Sequence, residues 1–240
     1  LPTFALDTST ASPSLALLRD GEPTAELWLG PEPGSGRRVL EATHGLLTAA
    51  GVAVADLDGI VVGVGPGGFT GLRIGLATAL GLGQALGIRV TGASSLEALA
   101  LGIATVAPDG AVVAPVLDAK RREVFGAVYR PGPEGALEEI LPPAARNPAE
   151  LAADLAALGE PVWLAGDGLA AGGDALAGPG LVPLPPGSPA HRIRAALLAR
   201  RVAAGGGLPA RPAYARLPDA EVNRRRRDSR LRESLAARSE

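Results

Sequence analysis

Several short stretches of the chain carry residue types that could do chemistry. Asp7-Thr8-Ser9-Thr10 sets a carboxylate and three hydroxyls at the end of an apolar run. Such a set, with turn N–H groups beside it, can hold a metal–phosphate or accept a proton from water. The same residues also make an ordinary turn whose hydroxyls bond their own backbone. Asp118 closes a second apolar run at 111–117, and Gly166-Asp167-Gly168 closes a third at 161–165, so these residues could face the same cleft as Asp7. Gly65-Pro66-Gly67-Gly68 joins an apolar strand to a helix, a place where backbone N–H groups can cradle phosphate. It lacks the Gly-Lys-Ser/Thr ending of a P-loop and the spacing of a dinucleotide fingerprint. Residues 223–240 hold seven arginines and three acids, a local +4. That run could hold phosphates, or it is a solvated, mobile terminus.

Other chemistries are excluded by what the chain contains. Cysteine is absent, which removes disulfides and thiol catalysis. The only histidines are His44 and His191, and neither has a second histidine one helical turn away, as a helical zinc site would need. A surface or capping role is expected for both, and no metal site. Gly-x-Ser-x-Gly does not occur where a strand meets a helix. A net charge of −2 gives no global field that would draw the chain to nucleic acid.

The elements that must position these residues follow from hydrophobic spacing. Residues 3–7, 14–19 and 24–29 read as strands, with Asp20-Gly21 a strong hairpin turn between the first two and the third. After a proline- and glycine-rich loop, Val39, Leu40, Leu46, Leu47 and Ala50 mark an amphipathic helix that ends at Gly51. A strand at 60–64 leads into the glycine elbow. The helix that leaves it is small or apolar nearly all round: Gly71, Gly75, Ala79 and Gly83 line one face and Leu72, Leu76 and Leu80 another. The apolar run 59–88 is long enough to cross a membrane, but Pro66-Gly67-Gly68 breaks it and Arg73 falls in the middle of what remains. The expectation is no membrane span, but a helix buried in its own core or covered by its own domain on one side and another chain on the other.

Ser94 or Ser95 with Glu97 signals another helix start. The pattern then begins again after a turn cluster at 107–110: strands at 111–117, 123–129 and 161–165, a helix capped by Asn147-Pro148, and a last helix at about 191–204. Both halves place an aspartate at a strand end before helices. The reading is therefore α/β with two related lobes, 1–107 and 108–215, the last helix packing back on the first lobe, and an arginine-rich tail at 216–240.

Three runs then carry a family likeness: residues 6–10, the elbow Gly65-Pro66-Gly67-Gly68-Phe69-Thr70-Gly71-Leu72-Arg73-Ile74-Gly75, and Asp118-Ala119-Lys120-Arg121-Arg122-Glu123-Val124-Phe125. In this order they resemble the TsaB family, also called YeaZ, as do Gly166-Asp167-Gly168 and Pro212-Ala213-Tyr214. Where the family elbow commonly has serine, this chain has Gly68. The resemblance implies a two-lobed fold of the actin, sugar-kinase and Hsp70 type (ASKHA, ribonuclease H-like). It also implies a bacterial cytoplasmic protein needed to make threonylcarbamoyladenosine beside the tRNA anticodon. In that system a paralogue, TsaD, carries the metal site and transfers the threonylcarbamoyl group, and an ATPase, TsaE, joins the pair. The member resembled here is a non-catalytic scaffold that pairs with TsaD, or with itself when TsaD is absent, and meets tRNA through the complex. It needs no cofactor of its own; weak ATP or ADP binding at Asp7, Thr8, Ser9, Thr10, Asp118, Gly166, Asp167 and Gly168 stays open. The expected partner face comprises Leu40, His44, Leu47, Phe69, Leu72, Arg73, Leu76, Ala79 and Leu80. The alternative is a metal- or ATP-dependent enzyme of the same superfamily, a glycoprotease-like peptidase or kinase, acting through Asp7 and Asp118. A third reading has residues 224–227 binding tRNA directly.

Overall fold

A computed structural model of the chain describes residues 1–31 and 35–213. Tyr214 and the tail expected at 216–240 lie outside them. The first sheet begins with an antiparallel meander, β1 (Pro2–Asp7), β2 (Ser14–Arg19) and β3 (Glu22–Trp28), with Asp20 and Gly21 both at positive φ in the turn. Helix α1 (Ser35–Ala49) then crosses to β4 (Gly59–Gly65), which runs parallel to β1. Helix α2 (Phe69–Leu86), ended by left-handed Gly87, leads to β5 (Arg89–Ser94), parallel to β4. Helix α3 (Ser95–Ala104) follows, capped by Ser94 Oγ accepting from the Glu97 N–H.

The second half repeats the plan. Strands β6 (Val112–Lys120), β7 (Glu123–Pro131) and β8 (Leu137–Arg146) form a meander; α4 (Pro148–Ala156) starts at Asn147, whose side chain caps the Ala149 N–H. Strand β9 (Val162–Ala165), the short helix α5 (Gly168–Gly172), β10 (Leu181–Pro183) and helix α6 (Ala195–Arg201) complete it. The sheets run β3-β2-β1-β4-β5 and β8-β7-β6-β9-β10, the same order in both halves.

Strands buried on both faces must be apolar throughout, and each face has its own core. Phe4, Leu6, Leu15, Leu17, Ile60 and Val62 face α1 and α2, whereas Val112, Val116, Val124 and Val128 face Leu151 and Leu155 of α4. The third core lies between the sheets and is filled by α3 and α6, with small Ala5, Ala16, Ala93, Ala127 and Ala165 giving them room. The two helices are exchanged. Although α3 ends the first half of the chain, it packs on β6 and β7, and α6 returns to β1 and β2. Ser14 Oγ accepts from the Ala195 N–H at 2.7 Å and so caps α6 from the opposite half. The Trp28 indole donates to the Ile193 carbonyl at 3.1 Å, Arg194 pairs with Glu26, and Arg201 on α6 meets Glu97 on α3 at 2.8 Å.

Sequence reading does not foresee β5, β8 and β10. β5 carries a single strong hydrophobe, Val90, while β8 contains Pro142-Pro143 and β10 ends at Pro183. Both proline-bearing strands are at sheet edges, where a missing N–H costs no ladder bond. The last helix is also shorter than expected: 189–191 is a 3₁₀ turn and 202–206 a π-type turn. Beyond it, residues 207–213 strap the edge of the first sheet. Gly92 and Leu208 exchange backbone hydrogen bonds of 2.8 and 2.9 Å, and the Ala213 N–H donates to the Val64 carbonyl at 2.8 Å. No helix among the described residues is long and apolar enough to cross a membrane.

The glycine face of α2 is turned inward. A Cβ on Gly71 would stand 2.0 Å from the Thr8 carbonyl oxygen, and one on Gly75 would stand 2.2 Å from Thr8 Oγ1. Gly81 on the outer face has nothing within 4 Å. Alanine in place of a helical glycine is worth up to about 1 kcal/mol, and forcing a group into a filled space costs about 1–3 kcal/mol. Urea unfolding should therefore show Gly71→Ala destabilising the chain by about 1–3 kcal/mol, while Gly81→Ala stabilises it by up to about 1 kcal/mol.

Candidate functional site

Asp7 is 1 % exposed, so its carboxylate has lost water on every side. Its Oδ1 accepts from the Ser9 N–H (2.8 Å) and Ser9 Oγ (2.6 Å), and Oδ2 accepts from Ser95 Oγ (2.6 Å). Gly63 in β4 makes the space: a Cβ there would fall 2.0 Å from Asp7 Oδ2. Desolvation pushes the Asp7 pKa above the ordinary aspartate range, and the bonds from Ser9 and Ser95 offset only part of that. Thr8 Oγ1 donates to the Gly71 carbonyl at 2.7 Å, and the Gly68 N–H donates to the Ser9 carbonyl at 2.7 Å. Thus the elbow, where a phosphate would need free N–H groups, is pressed onto the loop after β1. Asp7, Thr8 and Ser9, read from sequence as nucleotide ligands, have their polar atoms engaged within the chain. Thr10 is half-buried in a local turn with Ser12.

The second acidic set is separate and more open. Asp167 Oδ1 accepts from the Asp118 N–H at 2.9 Å. Asp118 accepts from the Lys120 N–H (2.7 Å) and from Lys120 Nζ (2.6 Å). Partial desolvation raises the Asp118 pKa, but the two bonds from Lys120 outweigh it and leave the carboxyl below its ordinary range. Its bond to Asp118 raises the Lys120 ammonium in turn. Asp167 is exposed on one side, yet desolvation of its carboxyl raises its pKa, the bond from the Asp118 N–H offsetting part of that and the Asp118 charge adding to it. Lys120, Arg121 and Arg122 all have positive φ in the β6–β7 turn, a conformation that L-residues rarely adopt in succession. Among the described residues no three His, Cys, Asp or Glu side chains gather as metal ligands would.

Three positioning residues escape the sequence reading. Ser95 looks like a helix cap but bonds Asp7. Gly63, a glycine inside a strand and hence a marker of close approach, admits the Asp7 carboxylate. His191 accepts from the Gly166 N–H through Nδ1 (3.1 Å), so Nε2 carries the proton and donates to the Pro185 carbonyl (2.9 Å). It fixes the 166–168 turn, where a Cβ on Gly166 would lie 1.9 Å from the Val116 carbonyl oxygen. A cavity of about 430 Å³ lies elsewhere, between Leu101, Thr105, Pro108, Pro131, Pro133 and Arg200.

The expected partner face needs a correction. Leu47, Leu72, Leu76 and Ala79 are at most 4 % exposed because they point into the core between α1, α2 and the sheet. The exposed members are Leu40, His44, Phe69, Arg73 and Leu80. Leu40, Phe69 and Leu80 are 56, 41 and 46 % exposed, and the Arg73 guanidinium lies 3.9 Å over the Phe69 ring.

Two sheets of the same mixed order, closed around an exchanged pair of helices, define a two-lobed α/β protein. The family described as "TsaD: tRNA N6-adenosine threonylcarbamoyltransferase" matches residues 35–175, and the chain belongs to that family. Among its curated relatives, the Bacillus subtilis protein named tRNA threonylcarbamoyladenosine biosynthesis protein TsaB is 37 % identical over 58 % of this chain and 59 % of its own. The Escherichia coli protein of that name is 35 % identical over 53 % of this chain and 54 % of its own. The chain thus spans a little over half the length of the curated relatives it matches. A Pseudomonas aeruginosa structure, described as similar to peptidase YEAZ, superposes with a TM-score of 0.73 at 29 % identity, covering 90 % of this chain and 99 % of its own.

The raised Asp7 pKa sets a pH dependence. A carboxyl raised in the folded state contributes stability that is full below the unfolded-state pKa and lost as pH rises through the folded one. Asparagine keeps the acceptor for Ser9 without the charge. The stability of Asp7→Asn relative to the parent should therefore increase from acid to neutral pH in urea unfolding. Asp7→Ala, which orphans the Ser9 N–H and Ser95 hydroxyl, should cost about 1–3 kcal/mol.

Proposed function

We propose that this chain is the non-catalytic partner subunit of the bacterial machinery that makes tRNA threonylcarbamoyladenosine. The observation that carries the scaffold reading is the sealed Asp7. A catalytic or nucleotide-holding carboxylate must reach its ligand, and this one is enclosed by Ser9, Ser95 and Gly63. Asp118 is neutralised by Lys120. The rival enzyme acting through Asp7 and Asp118 has neither acid free for the work. The names of the relatives support the pathway, and the chemistry is assigned to a TsaD-type transferase with TsaE as the ATPase partner. The chain needs no cofactor of its own and works in the cytoplasm.

Its contribution is a surface. Leu40, Phe69 and Leu80, with His44 and Arg73 around them, present apolar area on two helices whose inner faces are locked into the core. That face pairs with the transferase or, in its absence, with a second copy. Burying one leucine side chain is worth about 1.5–3 kcal/mol. Leu80→Glu or Leu40→Glu should thus weaken association at least about 10-fold in analytical ultracentrifugation, with circular dichroism and thermal midpoint unchanged. Leu76→Glu, which puts a charge into the core, should instead unfold the chain. Unchanged association for both surface variants overturns this face as the interface.

The central test is reconstitution of tRNA modification from transferase, ATPase, threonylcarbamoyl-adenylate and ATP, with and without this chain. Modification is expected only when the chain is added, and none from the chain alone. Product formed by the chain alone overturns the scaffold reading.

A further inference from the structure

The cavity between Leu101 and Arg200 lies at the far end of the second sheet from the acidic set. Ala111, just before β6, is on its wall, and Asp118 lies near the other end of that strand. At about 3.3 Å per residue the two are roughly 23 Å apart. The cavity is therefore a separate site. Its volume of about 430 Å³ is in the range of small-molecule pockets.

Its walls are held by bonds within the chain. The Arg130 guanidinium donates to the Gly110 carbonyl at 3.1 Å and pairs with Glu160, which ties the 108–111 turn to β7. That turn is closed by the Ala111 N–H on the Pro108 carbonyl at 3.0 Å. In the loop after β7, the Gly132 N–H donates to the Ala136 carbonyl and the Ala136 N–H to the Pro133 carbonyl, both at 2.9 Å. Gly135 in this loop has a φ of +86°, and the Arg200 stem packs on it: a Cβ there would stand 3.1 Å from Arg200 Cγ. Leu101, Ala104, Pro108, Pro131 and Pro133 make the wall largely apolar. A pocket built this way costs little to order around a ligand.

Two charged residues line it, Asp109 and Arg200. Neither makes a side-chain hydrogen bond or ion pair among the described residues, with the other or with a third group. By contrast, Arg130, Arg146, Arg194 and Arg201 are each committed to a carboxylate. Thr105, the remaining polar side chain on the wall, already donates to the Gly102 carbonyl at 2.7 Å. An anion would satisfy Arg200 and face Asp109 unpaired, and a cation would do the reverse. A ligand that carries both charges satisfies both.

We propose that this cavity binds a zwitterion with an apolar body, a free α-amino acid. Its carboxylate pairs with Arg200, whose planar guanidinium suits a two-oxygen partner. Its ammonium donates to Asp109, and its side chain packs on Leu101 and the prolines. The site is independent of any partner that the chain meets through α1 and α2.

The test titrates the full chain with alanine, valine, leucine and phenylalanine, by calorimetry and saturation-transfer NMR. At least one should bind saturably, with a dissociation constant of about 1 mM or tighter. For the tightest of them, the N-acetyl derivative lacks the ammonium and the amide lacks the carboxylate. Each derivative should bind at least about 10-fold more weakly, the loss of one charge-assisted hydrogen bond. Arg200→Gln, which keeps the stem over Gly135, should weaken the amino acid at least about 10-fold and leave its amide unaffected. Asp109→Asn should weaken the amino acid similarly and leave its N-acetyl derivative unaffected. Thermal midpoints should match the parent, because both side chains are exposed. No binding by any of the four, or binding that both variants leave unchanged, overturns the proposal. So does an N-acetyl derivative that binds as tightly as the amino acid, which would make the cavity a simple anion site.

Discussion

The structure depends on one close approach, the glycine face of α2 against the loop that follows β1. Helix and loop can touch backbone to backbone only because Gly67, Gly71 and Gly75 carry no side chain where Thr8 and Ser9 lie. That contact presses the elbow onto the Ser9 carbonyl, and Ser9, Gly63 and Ser95 enclose the Asp7 carboxylate. A buried ionisable group is costly unless its hydrogen bonds are satisfied. Here Ser9 and Ser95 satisfy it, so the residue best placed for chemistry is consumed in holding the first lobe together.

The second dependence is the exchange of α3 and α6. Each ends one half of the chain and packs on the sheet of the other, so the central core belongs to both. Ser14, Glu26 and Trp28 reach from the first sheet to α6, and Arg201 joins α6 to α3. A hinge would have to open an apolar core and several part-buried polar contacts together. Such a body is suited to presenting fixed surfaces, and the outer faces of α1 and α2 are the surfaces it presents.

Much of the fold was legible along the chain. The Asp20-Gly21 turn, the Ser94 and Asn147 caps, the apolar runs ending at Asp7 and Asp118, and the recurrence of the pattern after residue 107 all come from local chemistry. The strands that escaped are edge strands or carry prolines and small residues, whose pairing depends on a neighbour far away in sequence. The candidate site was legible in residue identity but not in state. Nothing local in Asp7-Thr8-Ser9 says that Ser95 will donate to the carboxylate, or that the glycine row of α2 will face inward.

The sequence by itself determined the two-lobed α/β plan, the absence of thiol and paired-histidine chemistry, and the family, since these rest on composition, periodicity and one long glycine-rich motif. Only the tertiary structure decided which leucines of α1 and α2 are core and which are surface. A helix that is apolar all round has no stripe to distinguish its two covers, so the division falls to whichever side the sheet occupies. It alone also decided that Asp7 is sealed, that His191 holds the 166–168 turn, and that the strap brings Ala213 back to the elbow. Each of these joins residues many positions apart, and their geometry follows from how the cores close.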